Sequence, residues 1–210
     1  MRGGVIIGSR HKIWGAAILV LIALSGGTDR LWAGSVTAEV KKTVENVVGI
    51  LKDPRLQLDA KKKERRERLR QIIGARFDFE EMARRSLGQH WQRHAARKQE
   101  FVPVFTNFVE GSYVGQIETY RNEKILYTRE RLENNFAQVD TKVLRSDGEE
   151  IPINYKLHLV GGQWKIYDVL IENISLVNNY RSQFHRILST ASFDELLKKL
   201  QEKRAQSSNL

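Results

Sequence analysis

Asp168 is the acid best placed to do chemistry in this chain. It follows Trp164-Lys165-Ile166-Tyr167 in a strand-like stretch that is otherwise apolar on both faces. A carboxylate enclosed by such a sheet can act as a general base, its proton affinity tuned by burial. The same residue also suits a structural role, held by backbone N–H groups or an arginine so that it locks the sheet to a helix. No second catalytic group accompanies it, so the structural role is the favoured expectation. His90 and His94 stand four apart, which places both imidazoles on one face of a helix, a spacing able to hold a metal. Glu100 is the nearest acid, and Arg93 and Arg97 repel a cation, so a solvated basic face is expected there instead. G-x-S-x-G, H-E-x-x-H and a phosphate-binding loop are all missing. Zero cysteines exclude a thiolate nucleophile, a cysteine-ligated metal and a disulfide scaffold. The expectation is a chain with no catalytic residues, no metal and no cofactor.

The elements that position these residues fall into one domain. Two hundred and ten residues, 41% hydrophobic and 29% charged, exclude wholesale disorder and allow one large domain or two small ones. Arg2, Arg10 and Lys12 precede an apolar run from Ile13 to Leu24. As a helix that run spans roughly 18 Å, against a hydrocarbon core of about 30 Å. A basic start, a short apolar middle and small residues afterwards read as a secretory signal covering residues 1–33, cut after Ala33. The body, 34–203, is then exported, and 204–210 forms a polar, disordered tail. Lys+Arg 35 against Asp+Glu 25 gives a net charge of +10. Export turns that charge away from nucleic acid and toward lipid headgroups or acidic proteins.

Val36, Val40, Val44, Val47, Val48 and Leu51 recur at helical spacing after Ser35, and Asp53-Pro54 ends the pattern. A second helix is expected from Asp59 to Gly74, so charged that it should lie on the surface, either as a solvated face or as an electrostatic footprint at residues 61–70. Asp78 caps a short helix closed by Gly88. A longer one follows to Tyr120, carrying Phe101, Phe105, Phe108, Tyr113, Ile117 and Tyr120 on one stripe. Pro103 either starts that helix or kinks it. The period then changes to two, with strands at 125–132, 137–144, 151–160 and 163–174, turning at Asp147-Gly148 and Gly161-Gly162. Such short connections make the sheet an antiparallel meander. Two helices close the chain, the last opened by the capping box Ser192-Phe193-Asp194-Glu195. The fold class expected is α+β, a single domain with helices packed on one face of a four-stranded meander sheet, as in NTF2/cystatin-like folds.

Three stretches carry a resemblance. They are Phe77-Asp78-Phe79-Glu80-Glu81-Met82-Ala83 with Leu87-Gly88 and Trp91; Tyr155 with Gly161-Gly162-Gln163-Trp164-Lys165-Ile166-Tyr167-Asp168-Val169; and Ile171-Glu172 with Ile174-Ser175-Leu176-Val177 and Asn179-Tyr180-Arg181-Ser182-Gln183-Phe184. In order and spacing they resemble the MlaC, or toluene-tolerance, family from about residue 36 to 200. The resemblance implies a soluble periplasmic carrier of phospholipid or a related lipid. Its implied partners are an inner-membrane ABC transporter complex and an outer-membrane lipoprotein complex. Asn173 stands where the family usually has Gly, and Asn tolerates the left-handed backbone such a turn needs. Each acyl CH₂ gains about 0.8 kcal/mol on leaving water, so a sixteen-carbon chain is worth about 12 kcal/mol in a dry slot. The slot is expected in a cavity between the sheet and the long helix, lined by Phe105, Phe108, Tyr113, Ile117, Val143, Ile153, Tyr155, Ile166, Val169 and Phe184. Arg129, Lys142 or Arg181 would meet a phosphate at its mouth. The rival function is an NTF2-like isomerase or dehydratase using Asp168, and a third is a basic adaptor that binds membranes through residues 61–70.

Overall fold

Four helices begin where a side-chain oxygen receives the free N–H groups of their first turn. Ser35 Oγ accepts from the Ala38 N–H at 3.1 Å, Asp78 Oδ1 from Glu81 at 2.9 Å, Ser175 Oγ from Asn178 at 3.0 Å and Ser192 Oγ from Glu195 at 3.2 Å. The computed structural model describes residues 35–208, so the expected signal segment lies outside the described residues. The order is α1 (Val36–Lys52), α2 (Lys62–Arg76), α3 (Phe79–Leu87), the single turn α4 (His90–Arg93) and α5 (Lys98–Glu118). Then come β1 (Lys124–Glu133), β2 (Phe136–Leu144), β3 (Glu150–Val160), β4 (Gln163–Ile171), β5 (Ile174–Ser175), α6 (Leu176–Leu188) and α7 (Phe193–Ser208). Asp59 opens a short 3₁₀ turn rather than α2, which starts at Lys62 and runs past Gly74 to Arg76. Pro103 lies inside α5 with its ring exposed, so the helix gives up one backbone hydrogen bond and continues to Glu118. The last helix runs on to Ser208, beyond the expected start of the tail.

The strands pair in sequence order, all antiparallel, but there are five of them rather than four. The fourth expected strand is broken at Glu172-Asn173, where φ is 50° and 65°, and Ile171 pairs with Ile174 across this two-residue turn. Positive φ at both central residues is what a type I′ hairpin turn requires, and Asn173 supplies it in place of glycine. Gly161 and Gly162, at φ 56° and 79°, do the same between β3 and β4.

Two bulges set which side chains face inward. One falls between Tyr127 and Arg129, the other between Lys156 and Leu157 and their partners Asp168 and Ile166. Tyr167 is the extra residue of the second. Ile166 and Val169 therefore share a face although three positions separate them, and Asp168 turns to the other side. The segment Phe77-Asp78 lies along the edge of β4, bridged to Ile166 and donating the Asp78 N–H to the Ile166 carbonyl at 2.8 Å.

α2 is less of a free surface helix than its composition implies. Arg65 and Arg66 both pair with Glu118 of α5 at 2.9 Å, Arg70 pairs with Glu110 at 3.3 Å, and Arg76 reaches Glu39 of α1 and the Trp164 carbonyl. Among the described residues no helix is long and apolar enough to cross a membrane.

Candidate functional site

The interior divides in two. At one end Val36 and Val40 of α1, Met82 and Ala83 of α3, and Ala137, Val139, Leu157, Trp164 and Ile166 of the sheet are buried. The helical layer beside them is aromatic. Phe105 packs edge-on against Tyr180 at 5.9 Å and Phe184 at 6.1 Å between ring centroids, and Phe101 meets Phe184 at 6.0 Å. Phe108 meets Tyr180 at 5.3 Å. The aromatic stripe of the long helix thus faces the stripe of α6, not an open hollow against the sheet. Two complementary rows of rings close on each other at ordinary contact distances.

At the other end the same kinds of residue are only half-buried. Ile125 and Tyr127 of β1, Val143 of β2, Ile151, Ile153 and Tyr155 of β3, and Ile171 of β4 keep solvent contact. So do Val44, Val48 and Leu51 in the second half of α1, Tyr113 and Ile117 in the second half of α5, and Tyr120 just beyond it. Register places Ile125 opposite Val143, Val143 opposite Ile151, and Ile153 opposite Ile171, so the sheet residues form one continuous apolar row. Burial pushes the Tyr155 hydroxyl far above the ordinary tyrosine range, and nearby Tyr127 adds to it. Burial pushes Tyr127 up to about 12, with Glu45 of α1 contributing. Lys52 at the end of α1 lies 5.8 Å from the Tyr120 ring centroid, which brings the ends of α1 and α5 together over this half.

Of the ten residues expected to line the slot, Phe105, Phe108, Ile166, Val169 and Phe184 are buried among core side chains, while Tyr113, Ile117, Val143, Ile153 and Tyr155 belong to the half-buried set. Two concavities on the described surface lie elsewhere. One of about 520 Å³ lies between α6 and α7, lined by Arg186, Ile187, Thr190, Ala191, Glu195 and Lys199. The other, of about 280 Å³, is lined by Arg121, Asn122, Glu123, Lys124, Leu144, Arg145 and Ser146. Neither takes in any of the ten. Arg181 donates to the Arg85 carbonyl at 2.8 Å and lies against Gly88, while Lys142 pairs with Glu150 at 2.7 Å; both are structural contacts. Arg129 is exposed on β1. Val44, Val48, Tyr127 and Ile171 belong to the same half-buried set and were not among the residues expected to line a slot. The α1 stripe and the alternation of β1 carried that signal.

Asp168 takes the structural role. Both of its oxygens are engaged: Oδ2 accepts from the Ser175 hydroxyl at 2.7 Å and Oδ1 from the Val177 N–H at 3.1 Å, in a buried position. The Ser175 oxygen in turn caps α6, so this carboxylate fixes the last strand turn to the helix. The two histidines of the expected metal spacing part company. His90 Nε2 lies 3.0 Å from His185 Nδ1, whereas His94 stacks on Phe193 with centroids 4.2 Å apart. Burial, then His185 and nearby Arg93 and His94, push His90 below the ordinary histidine range. Among the described residues no group of three or more His, Asp or Glu could hold a metal.

An α+β protein with an apolar interior, fully buried at one end and half-buried at the other, and with Asp168 spent on fastening α6, has the build of a binding protein. The family model described as MlaC protein matches residues 41–202, and the chain belongs to that family. It is 25% identical over 126 residues to the intermembrane phospholipid transport system binding protein MlaC of Haemophilus influenzae, a match spanning 57% of this chain and 59% of that protein. It is 24% identical over 148 residues to the toluene tolerance protein ttg2D of Pseudomonas putida, 69% of each chain. Among solved structures it resembles the phospholipid-binding protein from Ralstonia solanacearum in complex with a phospholipid. That match has a TM-score of 0.73 and 25% identity, and covers 83% of this chain and 99% of that one.

Proposed function

We propose that this protein is a periplasmic phospholipid carrier with no catalytic role. The observation that carries the reading is the half-accessible apolar row of Tyr113, Ile117, Val143, Ile153 and Tyr155. Val143, Ile153 and Tyr155 share one face of the sheet, and Tyr113 and Ile117 lie in the second half of α5. An acyl chain laid along that row replaces water on both surfaces. About 0.8 kcal/mol per CH₂ is ample to part side chains that are already only half-buried. The relatives support the same ligand: one is named for phospholipid transport and another was solved with a phospholipid bound. The cargo takes the place of a cofactor. A carrier of this kind exchanges cargo with an inner-membrane ABC transporter complex and an outer-membrane lipoprotein complex. The reading includes removal of residues 1–33 as an export signal.

Lipid extraction and native mass spectrometry of protein purified from bacteria test the proposal. Phospholipid is the expected finding, and Ile153→Trp, which fills the accessible row, is expected to lower its occupancy while leaving the fold intact. Protein that carries no lipid and takes none from vesicles overturns it. The isomerase reading is not favoured, because the Asp168 oxygens are both engaged in fastening α6.

A further inference from the structure

The accessible half of the interior ends where the chain is most basic. Between residues 52 and 68 eight lysines and arginines stand against four carboxylates. Contacts place this segment beside the end of α5, a few residues before β1 begins. Arg65 and Arg66 reach Glu118, Lys52 lies over Tyr120, and Arg121 reaches the Glu118 carbonyl. Lys124 and Arg145 line the adjoining shallow concavity. In the loop ahead of α2, Leu58 stands 62% exposed, preceding Lys61, Lys62 and Lys63. The arginines here are committed to structure: Arg55 to Asp53, Arg65 and Arg66 to Glu118, and Arg68 to Glu64. The side chains of Lys62, Lys63 and Lys124 make no ion pair or hydrogen bond among the described residues. An exposed leucine followed within five residues by uncommitted lysines is the pattern of an interfacial anchor, in which the apolar side chain enters the headgroup layer and the cations meet lipid phosphates.

We infer that this end of the molecule docks on an anionic phospholipid bilayer, through Leu58 as the inserted residue and Lys62, Lys63 and Lys124 as the phosphate contacts. The inference rests on the carrier reading, since docking here turns the accessible row toward the membrane and lets a tail pass between bilayer and protein without crossing water. Charge complementarity favours the bilayer as occupant, because isolated lysines are compact point charges suited to a fluid layer of phosphates, whereas the forked arginines are already paired.

Flotation with vesicles of phosphatidylcholine, alone or mixed with phosphatidylglycerol, tests it with the lipid-loaded protein. Binding to the mixed vesicles, weakening as salt rises, is the expected result. Each lysine near an anionic surface is worth about fivefold, so Lys62→Gln with Lys63→Gln should weaken partitioning about 25-fold. Leu58→Ser should weaken it about tenfold, including at high salt. These side chains are uncommitted, so thermal melting serves as the folding control and should not move. Failure of the wild type to bind mixed vesicles, or equal binding by the variants, overturns the inference. So does retention on an immobilised acidic peptide through the same lysines with no vesicle binding, which assigns the surface to a protein. The two readings fail separately: protein that contains no lipid sinks the carrier, whereas loaded protein that ignores vesicles sinks only the docking surface.

Discussion

The closed and accessible ends of the interior use the same chemistry to different effect. At the closed end, rings of α5 and α6 interlock, and Phe101, Phe105 and Phe184 are all but inaccessible to solvent. At the other end, isoleucines, valines and tyrosines of similar bulk line sheet and helix yet stay half-exposed. The difference lies in what faces them. The closed end is covered by a second aromatic stripe, whereas the accessible end is roofed by the tapering ends of α1 and α5. Burial is complete in one half, and the row proposed to take an acyl chain lies in the other.

That comparison breaks if both halves respond alike to truncation. Phe105→Ala or Phe184→Ala should cost about 3–5 kcal/mol in urea unfolding, the range for a cavity in a rigid core. Ile153→Ala should cost about 1 kcal/mol or less, because its side chain is already partly in water, and its larger effect should be on lipid content. Equal costs at the two sites would mean that the half-exposed row is ordinary core. Asp168→Asn should cost about 2 kcal/mol by weakening the hold on Ser175 and Val177, and α6 should lose protection from hydrogen exchange first.

Glu118→Gln sharpens the comparison, because Glu118 ties α2 to the roof of the accessible half; about 2 kcal/mol is expected for leaving two half-buried arginines unpaired. Burial alone would raise the Glu118 carboxyl, but hydrogen bonds from Arg66 and Arg65 and their charges outweigh it and hold it below the usual range. A lowered carboxyl stabilises above its unfolded value, about 4.3, and that contribution fades as pH falls through the lower folded value. The gap between wild type and Glu118→Gln should therefore be full at neutral pH and close in acid. Asn173→Gly should give the smallest change, a gain of about 0.5–1 kcal/mol, since glycine takes φ of 65° without strain.

Much of the fold was legible because local patterns state it. The alternation Ile151, Ile153, Tyr155, Leu157 announces β3, and Asp78 and Ser192 announce helix starts. What escaped depended on distant partners. The aromatic stripe of α5 reads as lining or as core with equal ease until α6 is known to carry a matching one. The charged run in α2 reads as solvated until Glu118 and Glu110, forty or more residues away, are brought beside it. The bulge at Tyr167 is invisible to a period-two reading, yet it decides that Ile166 and Val169 both face inward while Asp168 does not.

The backbone of Phe77 and Asp78 alongside β4 has a consequence for solubility. A sheet margin with unsatisfied amides invites another chain to add a strand, a hazard for any protein that travels among partly folded neighbours. Here the far margin is occupied by the chain's own backbone, and the opposite one, β1, is bent by its bulge and studded with Arg129, Glu130, Arg131 and Glu133. The molecule is thereby free to expose grease at one end without offering its flanks as a template for aggregation.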